Sequence, residues 1–594
     1  MRILRALSIW VVLGLAACGE PAEKPPVLPT PEELRADLGG LPFDDFVDRS
    51  FKELLRRNPE GVVELGLTSS IDVGHGFLTD ASDGFDQQTL AVYRVLGELL
   101  QGYDLAPLSR AQQVTRDVYA WYLDDQVRQR DRADLAYPLN PTLTSVDLST
   151  ELFFTDIHPL QTPADVEDWL ARLGMVRAKF LQVQESVERR ARAGIVLPRQ
   201  LLDITRNHLR GMASAAPRDT PYYAALRDRL ELVEGVDRQR ALERAEQILR
   251  DSVLPAYRAL DGMLASQMGS APAGLGVGQL PGGDAFYLDA LRHHVTSAVT
   301  PAELEALGES ELQALQTEMG AQFAALGYPG TSTLAESLAR ATSEGGFVAS
   351  QDVVATYEDI IDDARGRLDQ VFDLRPSADV IVIGVPSGGF YVGASLDGTR
   401  PGAFYATVSG AGLPRLGMRT LAYHEAVPGH HLQIGIAQDL DLPLFQRVTV
   451  FTGHAEGWGL YAEWLAGEQG WYAGDPYGAV GRLQSEAFRA ARLVVDTGIH
   501  ARGWTFEQAV QYLMDATGYP RGMCAGQVIR YASWPGQATA YWTGQVKIRQ
   551  VRARAEAEKG AAFDLKAFHR AVLSHGSLPL DLMQRVAAED LGLP

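Results

Sequence analysis

Cysteine is nearly missing from this 594-residue chain: Cys18 and Cys524 are the only two. A disulfide framework is therefore excluded, and the fold has to stand on its hydrophobic core. Apolar residues make up 46% of the chain, and its length suffices for two or three domains or one large unit, so that core is available. Positive charge is short as well, with 54 Lys and Arg against 75 Asp and Glu and a formal charge of −21. No basic run or aromatic-basic interleaving offsets this, which argues against nucleic acid as a partner. No glycine loop of the G-x-x-x-x-G-K-[ST] or G-x-G-x-x-G kind stands at a strand-to-helix junction. Gly384-Val385-Pro386-Ser387-Gly388 is not a nucleophile elbow, because its serine is fourth and not third. Internal repeats are absent too.

The N-terminus is distinctive. Met1-Arg2-Ile3-Leu4-Arg5 precedes an apolar run that ends in Leu15-Ala16-Ala17-Cys18. A basic start, a short apolar stretch and a small-residue cleavage site make residues 1–17 a signal peptide, too short and wrongly flanked for a spanning helix. Leu-Ala-Ala-Cys resembles a bacterial lipobox, which implies that Cys18 carries a lipid anchor in the membrane. Gly19 in place of aspartate favours the outer membrane, so a periplasm-facing lipoprotein is expected; the plainer reading is a secreted protein with a chance cysteine. An acylated Cys18 leaves no intrachain disulfide. Residues 18–30 form a proline-rich tether.

From Pro31 onward the pattern is mostly helical. Thr30-Pro31-Glu32-Glu33, Thr162-Pro163-Ala164-Asp165 and Thr300-Pro301-Ala302-Glu303 are helix starts, each with a hydroxyl cap and proline at the first helical position. Long helices are expected over 163–193, 198–211, 219–249, 254–264 and 351–372. We divide the mature chain into an N-terminal helical region, 31–275, and a C-terminal region, 276–594, which holds the chemistry. His75 reads as a loop residue of structural or incidental kind. His293-His294 reads as a helix end with one ring packed, with metal ligation as the alternative. One β region stands out at about 380–410: Val380-Ile381-Val382-Ile383 and Ala403-Phe404-Tyr405-Ala406-Thr407-Val408 are strand signals.

The chemistry gathers just after it. His424-Glu425-Ala426-Val427-Pro428-Gly429-His430-His431 puts three of the twelve histidines within eight residues. Imidazoles and carboxylates are ligands that zinc accepts. His424-Glu425 opens like H-E-x-x-H, in which the glutamate is a general base. Position 428, however, is proline. Pro428 and Gly429 weaken any helix there, so a local bulge is expected. A bulge absorbing two residues would bring His430 to the usual i+4 place, and one absorbing three would bring His431. The smaller displacement leans towards His430.

That octapeptide with Leu432-Gln433, the stretch Glu456-Gly457-Trp458-Gly459-Leu460-Tyr461-Ala462-Glu463, the run from Arg489-x-x-Arg492 to Asp496-Thr497-Gly498-Ile499-His500, and Arg530-Tyr531-x-x-Trp534-Pro535-Gly536-Gln537 together resemble the bacterial DUF885 family. The resemblance extends to helical gluzincin-type zinc metallopeptidases, whose third ligand is a downstream glutamate. It implies a mainly α, two-lobed zinc-peptidase-like fold with a small β-sheet beside the active site, its edge strand pairing with an extended peptide. It implies one Zn2+ per chain, held by His424, by His430 or His431, and by Glu456, with Glu463 as the other carboxylate in reach. Glu425 would be the catalytic base. His500, Tyr531 and Tyr541 are the candidate oxyanion donors, in the segment where such peptidases place a histidine or tyrosine. Arg489, Arg492 and Arg530 would hold either a substrate carboxylate or internal partners such as Asp496 and Glu486.

The expected activity is zinc-dependent hydrolysis of peptide bonds in a cleft. Two rivals stand beside it: an envelope-binding lipoprotein without catalysis, and a zinc hydrolase of non-peptide amides or esters.

Overall fold

The computed structural model describes residues 26–594 apart from 75, 409 and 411. The leader, Cys18 and His75 lie outside the described residues. Helices take 68% of the chain and strands 3%, a mainly helical fold with small sheets. Thr30, Thr162 and Thr300 each close a capping box with the acidic residue three places on, opening helices Pro31–Leu38, Pro163–Arg192 and Pro301–Ala325. Each box satisfies two backbone or side-chain donors that a bare helix start leaves open.

The helix expected over 219–249 is two. Pro221–Arg229 runs out through a short 3-10 turn, Gly235 takes a φ of 77°, and Asp237 caps a new helix, Arg238–Ile248. A left-handed glycine cannot continue an α-helix, whatever the apolar spacing around it. The helix expected over 351–372 is shorter, Val353–Arg365.

The centre of the C-terminal region is helix Pro476–Arg502, which Asp475 caps through the N–H of Gly478. It is buried almost all round from Gly478 to His500, as a helix with apolar residues on every face must be. Helix Thr452–Glu468 crosses helix Ala540–Lys559 at Gly457 and Gly544, where a Cβ on Gly457 would stand 2.5 Å from the Gly544 Cα. Only glycine permits that approach. The cores cut across the expected division at 275. Leu34, Phe46, Leu96 and Tyr119 share one cluster with Tyr423, Trp458 and Leu580, whereas Trp169, Phe180, Tyr222 and Tyr257 form a cluster of their own.

Five short strands make two sheets: β1 (Phe347–Val348), β2 (Val380–Val385), β3 (Phe390–Val392), β4 (Gly402–Thr407) and β5 (Leu413–Pro414). β4 is central, parallel to β2 and antiparallel to β3, and β1 pairs with β5. β3 lies in the glycine-softened stretch between the two strands read from sequence. It abuts the histidine motif, since the Tyr391 hydroxyl meets His431 Nδ1 at 3.0 Å. No helix among the described residues is long and apolar enough to cross a membrane.

Candidate metal centre

Helix Met418–Glu425 carries His424 and Glu425 on its last turn and stops there. A bulged helix was the expectation; the chain instead breaks completely. It passes through Ala426, a cis Val427–Pro428 bond and Gly429, and a second helix, His430–Asp439, begins at His430. Proline withholds the donor that the ladder needs, and a Cβ at 429 would collide with the His424 carbonyl. Trp458 holds the break in place by donating its indole N–H to the Pro428 carbonyl at 2.9 Å.

The break brings His430 back towards His424, their rings 4.7 Å apart and nearly perpendicular. Nε2 of each lies 3.4 Å from the same oxygen, Glu456 Oε2, on helix Thr452–Glu468. Among the described residues, His424, His430 and Glu456 are the group of three whose donor atoms all fall within 4.8 Å of one another. Ligands about 2.0–2.1 Å from a tetrahedral zinc stand about 3.3 Å apart, so this donor set fits the ion. Gly459 makes the room, since a Cβ there would press to 2.6 Å from the His424 ring.

His431 is not part of the group. Its ring turns away to the Tyr391 hydroxyl, and burial pulls its pKa down to about 4. Helix geometry explains this: one residue is a rotation of about 100°, so neighbours at a helix start cannot face one ion. Glu463 backs the site from behind. Its Oε1 lies 2.8 Å from His424 Nδ1, the nitrogen turned away from Glu456, and 3.2 Å from Arg489 Nη2, while Ser485 donates to its other oxygen at 3.1 Å. A carboxylate on the second nitrogen fixes the tautomer and plane of a ligating imidazole. Burial opposes a charge on His424, yet Glu456 and Glu463 prevail and push its pKa up to about 10. Burial likewise opposes the charge on Glu456, and the two histidines hold it well below the usual carboxylate range. Glu425 is 5% exposed, and burial raises its pKa against the pull of His424 and His430.

The family model for "Bacterial protein of unknown function (DUF885)" matches residues 59–586. The chain belongs to the DUF885 family. No curated protein matches it. The crystal structure of the "putative lipoprotein from Colwellia psychrerythraea" is 26% identical, with a TM-score of 0.87 over 95% of this chain and 100% of that one. That of a "putative lipoprotein of unknown function from Shewanella oneidensis" is 18% identical, with a TM-score of 0.70 over 92% of this chain and all of that one, a likeness of fold.

The three expected oxyanion donors part company in this DUF885 chain. His500 accepts the Val277 N–H on Nδ1 at 3.2 Å and meets the Tyr531 carbonyl through Nε2 at 3.1 Å, so both nitrogens are taken by backbone. Tyr531 is buried, and its hydroxyl accepts from Arg492 Nε at 3.0 Å. Of the three, Tyr541 alone reaches the His424–His430–Glu456 group, its ring stacked 6.1 Å from that of His424. Its oxygen accepts from Gln537 at 3.3 Å and Arg530 at 3.5 Å, which leaves its own proton to donate. Gln537 was not read as a site residue, yet its amide also reaches Glu456 Oε1 at 3.4 Å. The signal for it was its place in the Trp534-Pro535-Gly536-Gln537 motif, where Gly536 takes a φ of 80° to turn the chain.

Among the described residues the second histidine pair joins no group of three converging donors. His293 meets Asp125 at 2.7 Å, and His294 meets Thr452 at 3.4 Å with its ring against Trp534. Thr452 opens the Glu456 helix. His294 and Trp534 also line a cavity of about 800 Å³ whose lining lacks the three donors.

Proposed function

We propose that this chain is a zinc-dependent peptidase that hydrolyses amide bonds with a water molecule. The reading rests on one observation, the convergence of His424, His430 and Glu456 with Glu425 beside them. Zinc bound by those three would acidify a water and polarise a carbonyl. The chain's own groups do the rest. Glu425 takes a proton from the attacking water and passes it to the departing amine, so one water is added as the C–N bond breaks. Tyr541 offers its hydroxyl proton to the carbonyl oxygen as charge builds on it, a role Arg530 and Gln537 support by donating to the phenol oxygen. Glu463 and Arg489 keep His424 in plane.

Zinc content and cleavage of a mixed peptide library, measured for the mature protein and for Glu425→Gln, test this. One zinc in both, with cleavage lost about 10²–10⁴-fold in the variant, is the expected result. No metal from zinc-replete solution and no difference between the two would overturn it. We also propose that Cys18 anchors the chain to the outer membrane, supported by the Leu-Ala-Ala-Cys sequence and by the lipoprotein descriptions of the two similar structures. Cys18→Ala should move the protein from detergent-extracted membrane to the soluble fraction.

A further inference from the structure

The arginines of the C-terminal region fall into two groups. Arg482 pairs with Glu486, Arg552 with Glu468 and Glu556, Arg419 with Asp363 and Asp475, and Arg489 with Glu463. Arg492 and Arg530 have no carboxylate within ion-pair distance among the described residues, although Arg492 is 6% exposed. The candidates that sequence offered them are engaged elsewhere, Glu486 by Arg482 and Asp496 by the Tyr287 hydroxyl and the Gly536 N–H.

What surrounds these two guanidiniums is aromatic. Arg492 lies 4.4 Å above the Tyr541 ring and 4.3 Å above Phe488, and its Nε donates to Tyr531. Arg530 lies over Tyr531 and Tyr541 and donates Nη2 to Gln537 and to the Tyr541 hydroxyl. Ring faces compensate a buried cation only in part. Arg492 Nη1 and Arg530 Nε are buried without a hydrogen-bond partner. Two desolvated like charges sharing two tyrosines, with donors left over, make a receptor for an anion. Guanidinium forks match a carboxylate edge to edge.

We propose that Arg492 and Arg530 receive the C-terminal carboxylate of the peptide, so that the site releases one or two residues from a free C-terminus. The closeness of the two groups keeps that length short: Arg530 Nη2 lies within hydrogen-bond distance, 3.5 Å, of the Tyr541 hydroxyl, which serves the scissile carbonyl in the reading above. The proposal rests on the peptidase reading for the identity of the chain that carries the carboxylate, and on the two unpaired guanidiniums for the rest.

Three forms of one peptide test it on the zinc-loaded protein: a free C-terminal acid, the C-terminal amide, and the amide with glutamate as the last residue. Cleavage near the end of the free acid at 100-fold or more higher kcat/KM than of either amide is the expected result. In Arg492→Gln that acid-over-amide ratio should collapse towards one, with the change in KM; in Arg530→Gln it should collapse too, with kcat falling on both peptides because Arg530 also supports the Tyr541 hydroxyl. Equal cleavage of acid and plain amide would overturn the C-terminal assignment and leave the peptidase reading standing, and a preference confined to the glutamate peptide would move the carboxylate to a side chain. Binding separates the two readings further. Glu425→Gln, titrated with the acid and amide peptides, should bind the acid at least tenfold tighter, and Glu425→Gln/Arg530→Gln should not. Tight, acid-selective binding without turnover by the native protein would sink the peptidase and keep the carboxylate receptor; no selectivity in binding would sink the receptor.

Discussion

His208 lies 3.5 Å from Asp147 and 3.6 Å from Glu151, both approaching the same nitrogen, Nε2. His424 lies 3.4 Å from Glu456 and 2.8 Å from Glu463, and these approach opposite nitrogens, Nε2 and Nδ1. The inventories are alike, one imidazole between two carboxylates, but the wiring differs. Asp147 and Glu151 stand on one helix, Val146–Leu152, and compete for one edge of the ring. Glu456 and Glu463 also share a helix, yet Glu463 supports the ring from behind while Glu456 shares its front with a second imidazole, His430. A candidate metal centre is thus set apart less by how many donors are near than by whether they converge on one point with their rings held from outside. In the His208 cluster burial raises Asp147, and burial, with the charges of Asp147 and Asp156 added, pushes Glu151 up to about 7.

Removing the histidines should separate the two clusters most sharply. His424→Ala should lower zinc affinity by more than the roughly 10–100-fold typical of losing a supporting group, leaving no zinc after gel filtration in metal-free buffer. His208→Ala should keep one zinc per chain. Zinc lost from both, or from neither, would break the contrast.

Cutting the support behind His424 comes next. Glu463→Gln keeps the shape but removes the charge that Arg489 and His424 face, so zinc affinity should fall about 10–100-fold. Leaving Arg489 buried and unpaired should cost about 3–5 kcal/mol of stability. Glu463→Gln/Arg489→Gln should recover part of the melting temperature and none of the affinity. Recovery of both would mean that Glu463 serves stability alone.

Why Glu456 joins the two histidines while Glu463 backs His424 was not legible in the chain. Glu456 and Glu463 are seven apart, so they share a helix face, and spacing cannot say which end the histidines meet. The break at Pro428 decided it. Sequence pointed to a disruption there and leaned towards His430, but the size of the disruption, which decides between His430 and His431, was not legible. The placing of His500 was illegible for a different reason: its partners are the Val277 N–H and the Tyr531 carbonyl, backbone groups from distant segments that no local pattern announces. The helix starts were plain because their cause is local. Thr-Pro-x-Glu or Thr-Pro-x-Asp satisfies its own donors wherever it falls.

The finest probe of the comparison is protonation at Glu151. Burial, then the charges of Asp147 and Asp156, raise its pKa to about 7 from an ordinary value of 4.5, with Oε2 lacking a hydrogen-bond partner and His208 the histidine beside it. The folded chain therefore keeps a proton that the unfolded chain releases. Stability from that proton is complete below about pH 4.5, falls as pH rises, and is gone above about 7. Glu151→Gln retains the neutral shape at every pH. Relative to the native protein it should be close to neutral at pH 5 and gain roughly 2 kcal/mol by pH 8, read as a widening gap between melting temperatures. Asp147, raised in the same direction, keeps a slope of the same sign in the variant. Parallel melting curves from pH 5 to 8 would mean that water or a cation relieves Glu151, and a cation there would make the His208 cluster an ion site after all and remove the contrast with His424.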